Sequence, residues 1–121
     1  MKPTTHFTDE WTDLCAIDEV PIGGGHYVVH EGRPVAVLRV ADQTVRVMKD
    51  ACPHAGGSLS AGYVDSESGC VICPWHAWPF DLETGTCPDN EAYQVRTYPA
   101  RIVGGRVMAK MDRDPQVPPR G

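Results

Sequence analysis

The chain predicts an all-β fold of antiparallel strands, and three observations carry that prediction. Apolar residues recur in short runs, several of them alternating, with no sustained helical period. The 12 Gly and 11 Pro divide 121 residues into segments bounded by turn formers. Gly104-Gly105, between "ARIV" and "RVMAKM", is a two-residue hairpin signal, because both central positions of such a turn favour positive φ. The length suits a single domain spanning residues 1–121.

Taken in order, the first strands are "TDLCAI", "HYVVH", "PVAVLRV" and "TVRVMK", covering residues 12–49 and separated by "GGG", "EGR" and "ADQ". Val35, Val37 and Arg39 lie on one side, and Val45 and Val47 share a face beyond a tight turn, which predicts an antiparallel hairpin. Strands resume in "YQVRTYPARIVGGRVMAKM", so residues 12–49 and 92–110 form a base and residues 50–91 an insert, sharing one core. The polar, proline-rich tail 112–121 has the composition of a disordered end.

Charge sets the insert apart. Between Lys49 and Arg96 there is no Lys or Arg, while Asp50, Asp65, Glu67, Asp81, Glu83, Asp89 and Glu91 all fall there. These acids have two readings: a solvated face, or a negative pole that steers the molecule towards a basic partner. A net charge of −5 excludes nucleic acid as an expected partner. No apolar run is long enough to cross a bilayer, and "MKPTTHFTDEW" lacks the apolar stretch of a secretory signal, so a cytoplasmic location is expected. Five cysteines, an odd number, then read as ligands or buried thiols rather than a disulfide framework.

The chemistry lies in the insert, where "CPH" places Cys52 beside His54 and "CPWH" places Cys73 beside His76. Two loops, each offering a thiolate and an imidazole, can close a four-ligand metal site. Two Cys plus two His is a common structural zinc set, but zinc knuckles usually pair Cys with Cys and His with His, whereas each loop here mixes them. "AGGSLSAG" also suits a loop whose backbone N–H groups approach something negative, such as bridging sulfide. Leu59, Trp75, Trp78 and Phe80 supply apolar bulk to shield a redox centre. Cys70 and Cys73 form a C-x-x-C, yet an odd offset on a strand points them to opposite faces. Cys70, Cys15 and Cys87 therefore read as buried thiols, and His26 and His30 as packing or surface residues.

The doubled motif resembles that of Rieske-type [2Fe-2S] proteins, whose pattern is C-x-H, a spacer, then C-x-x-H. The eighteen residues between His54 and Cys73 exceed the usual spacer, and the excess is assigned to a surface turn in "VDSESG". The resemblance covers roughly residues 12–110, including "FDLETG" after the second pair. It implies a β-sandwich or barrel base with an inserted subdomain of three short strands and two loops. It also implies one [2Fe-2S] cluster, with Cys52 and Cys73 on the inner iron and His54 and His76 on the outer.

The same resemblance implies a one-electron carrier between a flavin reductase and a terminal oxygenase, rather than an enzyme. The chain is similar as well to small subunits of NAD(P)H-dependent nitrite reductases, which would fix it beside a large subunit. An oxygenase acting alone is disfavoured by the chain's length. Where respiratory members carry an inter-loop disulfide, this chain has Gly57 and Trp75, and where they carry a serine and a tyrosine it has Trp78 and Phe80. Fewer hydrogen bonds to sulfur, and nearby carboxylates, imply a potential near the lower end of the family's range, on the order of −150 mV.

Overall fold

A computed structural model describes residues 11–51, 58–75 and 77–111. Strands β1 (Thr12–Ala16), β2 (Gly25–His30), β3 (Arg33–Ala41) and β4 (Thr44–Lys49) come first, then the short strands β5 (Tyr63–Asp65), β6 (Cys70–Ile72) and β7 (Pro79–Asp81). Strands β8 (Thr97–Tyr98), β9 (Ala100–Val103) and β10 (Arg106–Ala109) follow. Two single-turn 3-10 helices, Ile17–Glu19 and Leu59–Ala61, are the helical elements among the described residues; the sequence signals neither.

The strands form three antiparallel sheets, ordered β1-β10-β9, β2-β3-β4-β8 and β5-β6-β7. Gly104 and Gly105, at φ of +58° and +78°, close the β9–β10 hairpin with Val103 opposite Arg106, as the sequence predicts. The β3–β4 hairpin pairs Val37 with Val47 and Arg39 with Val45. Arg39 lies in line with Val35 and Val37 and donates to the carbonyls of Ile17 (3.3 Å) and Val20 (3.0 Å), tying the first 3-10 turn to the second sheet.

Two cores lie on opposite faces of the middle sheet: one within the base, and one that base and insert share, as expected. Val35, Val37, Val45 and Val47 pack with Cys15, Val20, Val107 and Met111 beneath the β1-β10-β9 sheet. Ala36, Leu38 and Met48, on the other face of the same strands, pack with Leu59, Val71, Cys73, Phe80 and Val95 beneath β5-β6-β7. All of Val35–Leu38 is buried, as in any strand covered on both faces. The continuous run "VAVL" carries that signal, which alternation hides.

The tail 112–121 and His6 lie outside the described residues.

Candidate metal centre

The first ligand loop leaves β4 through Asp50 and Ala51 and returns at Ser58 into the Leu59–Ala61 turn. Cys52, His54 and Gly57 lie in its span, outside the described residues, as does His76. The second loop leaves β6 after Ile72 and returns into β7 at Pro79, starting at Cys73.

The feet of the two loops meet. Gly62, just past the first loop, presses on the Ile72 carbonyl so closely that an added Cβ would stand 2.0 Å from that oxygen. Leu59 and Cys73 are both fully buried in the second core. The loops therefore spring from one end of the insert, which two segments must do if they are to share a metal group.

Cys73 is the candidate ligand whose surroundings are described. Its N–H donates to the Trp78 carbonyl at 2.8 Å, closing the second loop at its base. Its sulfur accepts the Trp75 N–H at 3.4 Å, a contact that favours a thiolate. Ala77, next to His76, holds φ +57°, a left-handed backbone that a side chain resists and that turns the chain sharply back towards β7. A buried, N–H-contacted sulfur at a loop mouth fits a thiolate metal ligand.

The apolar shield is only partly as expected. Leu59 and Phe80 are fully buried in the second core, and Trp78 stands edge-on to Tyr93 with ring centroids 5.1 Å apart. Trp75 is instead 56% exposed, so it belongs to the outer surface of the loop.

Cys70 sits at the far end of β6, about 10 Å along the strand from Cys73 at ~3.3 Å per residue. Burial pushes its thiol pKa up. Burial likewise pushes Cys15 up to about 11, and Cys87 is fully buried. His26 pairs with Glu19 at 3.3 Å and His30 with Glu31 at 3.9 Å. Among the described residues no three His, Cys, Asp or Glu side chains gather as a competing metal site.

Four of the insert's acids lie away from Cys73. Asp65 and Asp81 flank Cys70 in the register, at the end of β5-β6-β7 away from Cys73, with Glu67 and Glu83 in the turns beyond. Asp65 accepts the Glu67 N–H, and "VDSESG" forms the expected surface turn, closed by Gly69 N–H to the Asp65 carbonyl. Asp81 accepts the N–H groups of Glu83 (2.8 Å) and Thr84 (3.0 Å), bonds that lower its pKa. Asp50 is only 6% exposed and is no part of a charged surface. Sequence reasoning counted it with the solvated acids; the signal that could have separated it is the Ser58 and Ser60 pair returning to it across the loop.

Comparison with known proteins agrees with this geometry. Residues 10–99 match the family model described as the Rieske [2Fe-2S] domain. The anthranilate 1,2-dioxygenase ferredoxin subunit of Burkholderia cepacia is 43% identical over 101 residues, covering 81% of this chain and 89% of that protein. The ferredoxin of carbazole 1,9a-dioxygenase from Nocardioides aromaticivorans IC177 superposes with a TM-score of 0.72 at 26% identity, covering 82% of this chain and 95% of that one. The nitrite reductase [NAD(P)H] small subunit from Erwinia carotovora gives 0.73 at 27% identity, covering 86% and 83%.

Proposed function

The chain belongs to the Rieske [2Fe-2S] domain family, and from that premise we propose that Cys52, His54, Cys73 and His76 hold its single cluster, the cysteines on the inner iron and the histidines on the outer. The observation that carries this assignment is Cys73, fully buried at a loop mouth whose base abuts the foot of the "CPH" loop. When bound, the cluster supplies reversible one-electron transfer. The chain is thus an electron-transfer component and not itself a catalyst.

Its own residues set the conditions for that transfer. Cys73 and the second core keep water from the inner side, the Trp75 N–H stabilises charge on sulfur, and Trp75 offers an apolar surface on the outer side. Phe80 contributes no hydroxyl, which supports a potential near the lower end of the family's range.

The partners we propose are a flavin reductase as donor and a terminal oxygenase as acceptor, in the cytoplasm. Support comes from the dioxygenase ferredoxins among the relatives. Asp65, Glu67, Asp81 and Glu83, at the far end of the insert, would steer a partner through their share of the net charge of −5. Among the described residues no helix is long and apolar enough to cross a membrane.

Visible absorption and electron paramagnetic resonance test the assignment. A red-brown protein with a rhombic signal on reduction, lost in Cys73→Ala and His76→Ala, is the expected result. A colourless zinc protein would overturn it. The likeness to the Erwinia subunit supports a second reading, a fixed small subunit of a nitrite reductase. Stable co-purification with a large sirohaem subunit would favour that reading over a free carrier.

A further inference from the structure

We infer that Asp50 is a positioning residue: its buried carboxylate latches the two feet of the first ligand loop and fixes that loop on the middle sheet. This rests on the assignment of Cys52 and His54 as ligands. Asp50 is the buried charged side chain among the described residues. A carboxyl group out of water is costly unless hydrogen bonds replace its hydration, so a retained one must be well satisfied.

Its bonds join the two ends of the loop. Oδ1 accepts the Ser60 N–H at 2.9 Å, and Oδ2 accepts the hydroxyls of Ser60 (2.6 Å) and Ser58 (3.0 Å). The two hydroxyl oxygens are 2.9 Å apart. Two hydroxyl protons serve three such contacts, so both hydroxyls can point at the carboxylate only if their own contact carries no hydrogen.

The latch is anchored on both sides. The Asp50 N–H donates to the Pro34 carbonyl at 3.0 Å, fastening one foot to β3. Ser60 lies against Gly25 of β2, where an added Cβ would come within 2.7 Å of the Ser60 carbonyl. Asp50 thus stands at the joint between base and insert, two residues before Cys52.

The test compares Asp50→Ala, Asp50→Asn and the double variant Ser58→Ala/Ser60→Ala in the full chain loaded with its cluster. Asn keeps an oxygen for the Ser60 N–H and nearly the same shape, but not the charge. Expected is loss of visible absorbance to a chelator about tenfold or more faster in Asp50→Ala and in the double variant, the scale of lost bonds to a charged acceptor. The rhombic signal of freshly loaded Asp50→Ala should change. In Asp50→Asn the cluster lifetime should return to within about threefold of wild type, with the wild-type signal restored. Should Asp50→Ala fail to fold, the double variant, which leaves the carboxylate in place, carries the same prediction.

A wild-type lifetime or an unmoved signal in the latch-free variants overturns the inference, as does an Asp50→Asn protein as labile as Asp50→Ala. A wild-type chain that takes up no iron and sulfide would instead refute the ligand assignment. The latch is then read by hydrogen exchange at the Ser60 amide, about tenfold or more faster in Asp50→Ala. Unchanged exchange there overturns it.

Discussion

Gly62→Ala tests whether the contact between the two loop feet sets the metal site. The glycine has ordinary negative φ, so the substitution adds no backbone strain of the left-handed kind. Its effect is steric: the new methyl would meet the Ile72 carbonyl oxygen at 2.0 Å and its carbon at 3.1 Å, both of them backbone atoms unable to swing aside. Contacts below 3.0 Å are essentially never tolerated and ordinary ones begin at 3.4 Å, so the foot of the first loop must part from β6 by about 1.0–1.4 Å. Overpacking of this kind costs ~1–3 kcal/mol. At about 4 °C per kcal/mol for a domain of this size, Tm should fall by about 4–12 °C.

The functional effect should be larger than the stability loss. Site geometry tolerates displacements of only about 0.5 Å, and here one loop moves by roughly twice that relative to Cys73. Cluster lifetime under a chelator, followed by visible absorbance, should fall by about tenfold or more. Gly69→Ala is the control. Its φ of +73° strains an alanine, but no atom lies within 4 Å of the added methyl. That variant should lose about 1 kcal/mol of stability and none of its cluster lifetime. The reasoning is refuted if Gly62→Ala keeps both Tm and cluster lifetime at wild-type values, or if Gly69→Ala loses its cluster as quickly.

Asp81, with its pKa lowered by the Thr84 and Glu83 amides, contributes stability above its ordinary value of 3.8 that is lost as pH falls through the lower folded value. Asp81→Ala should cost about 1–2 kcal/mol at pH 7 and flatten the acid limb of a Tm-against-pH profile; an unchanged limb would contradict this. Cys15, raised to about 11, keeps its proton in the folded state while the unfolded thiol ionises near 9.0, so its contribution to stability is intact below pH 9 and declines as pH rises towards 11. At pH 8 it should resist alkylation until the chain unfolds, as mass spectrometry would record; rapid labelling of the folded protein would disprove its burial. The midpoint potential should fall near the lower end of the family's range, on the order of −150 mV, and a protein-film or dye titration above about +100 mV would reject that expectation.

The strands and their hairpins were legible because turn chemistry and alternation are local. Gly104-Gly105 and the β3–β4 pairing follow from such signals, whereas the three short strands of the insert were expected only through the family resemblance. The doubled Cys/His spacing was legible too, since the residue types proposed as ligands stand in the chain whatever surrounds them. Cys70 could be set aside on strand geometry alone, and the structure places it at the far end of β6.

Contacts between segments distant in the chain decided the rest. The run "VAVL" signals burial on both faces of β3, but not what covers them, because the second core depends on a sheet arriving from residues 63–81. Nor could charge counting place Asp65 and Asp81 at the end of the insert away from Cys73, since register across three strands sets that distance. Asp50 changes meaning most. By itself the sequence determined an acid two residues before a proposed ligand cysteine; only the tertiary structure, by bringing Ser58, Ser60 and the Pro34 carbonyl around it, turned a residue counted among solvated acids into a buried clasp.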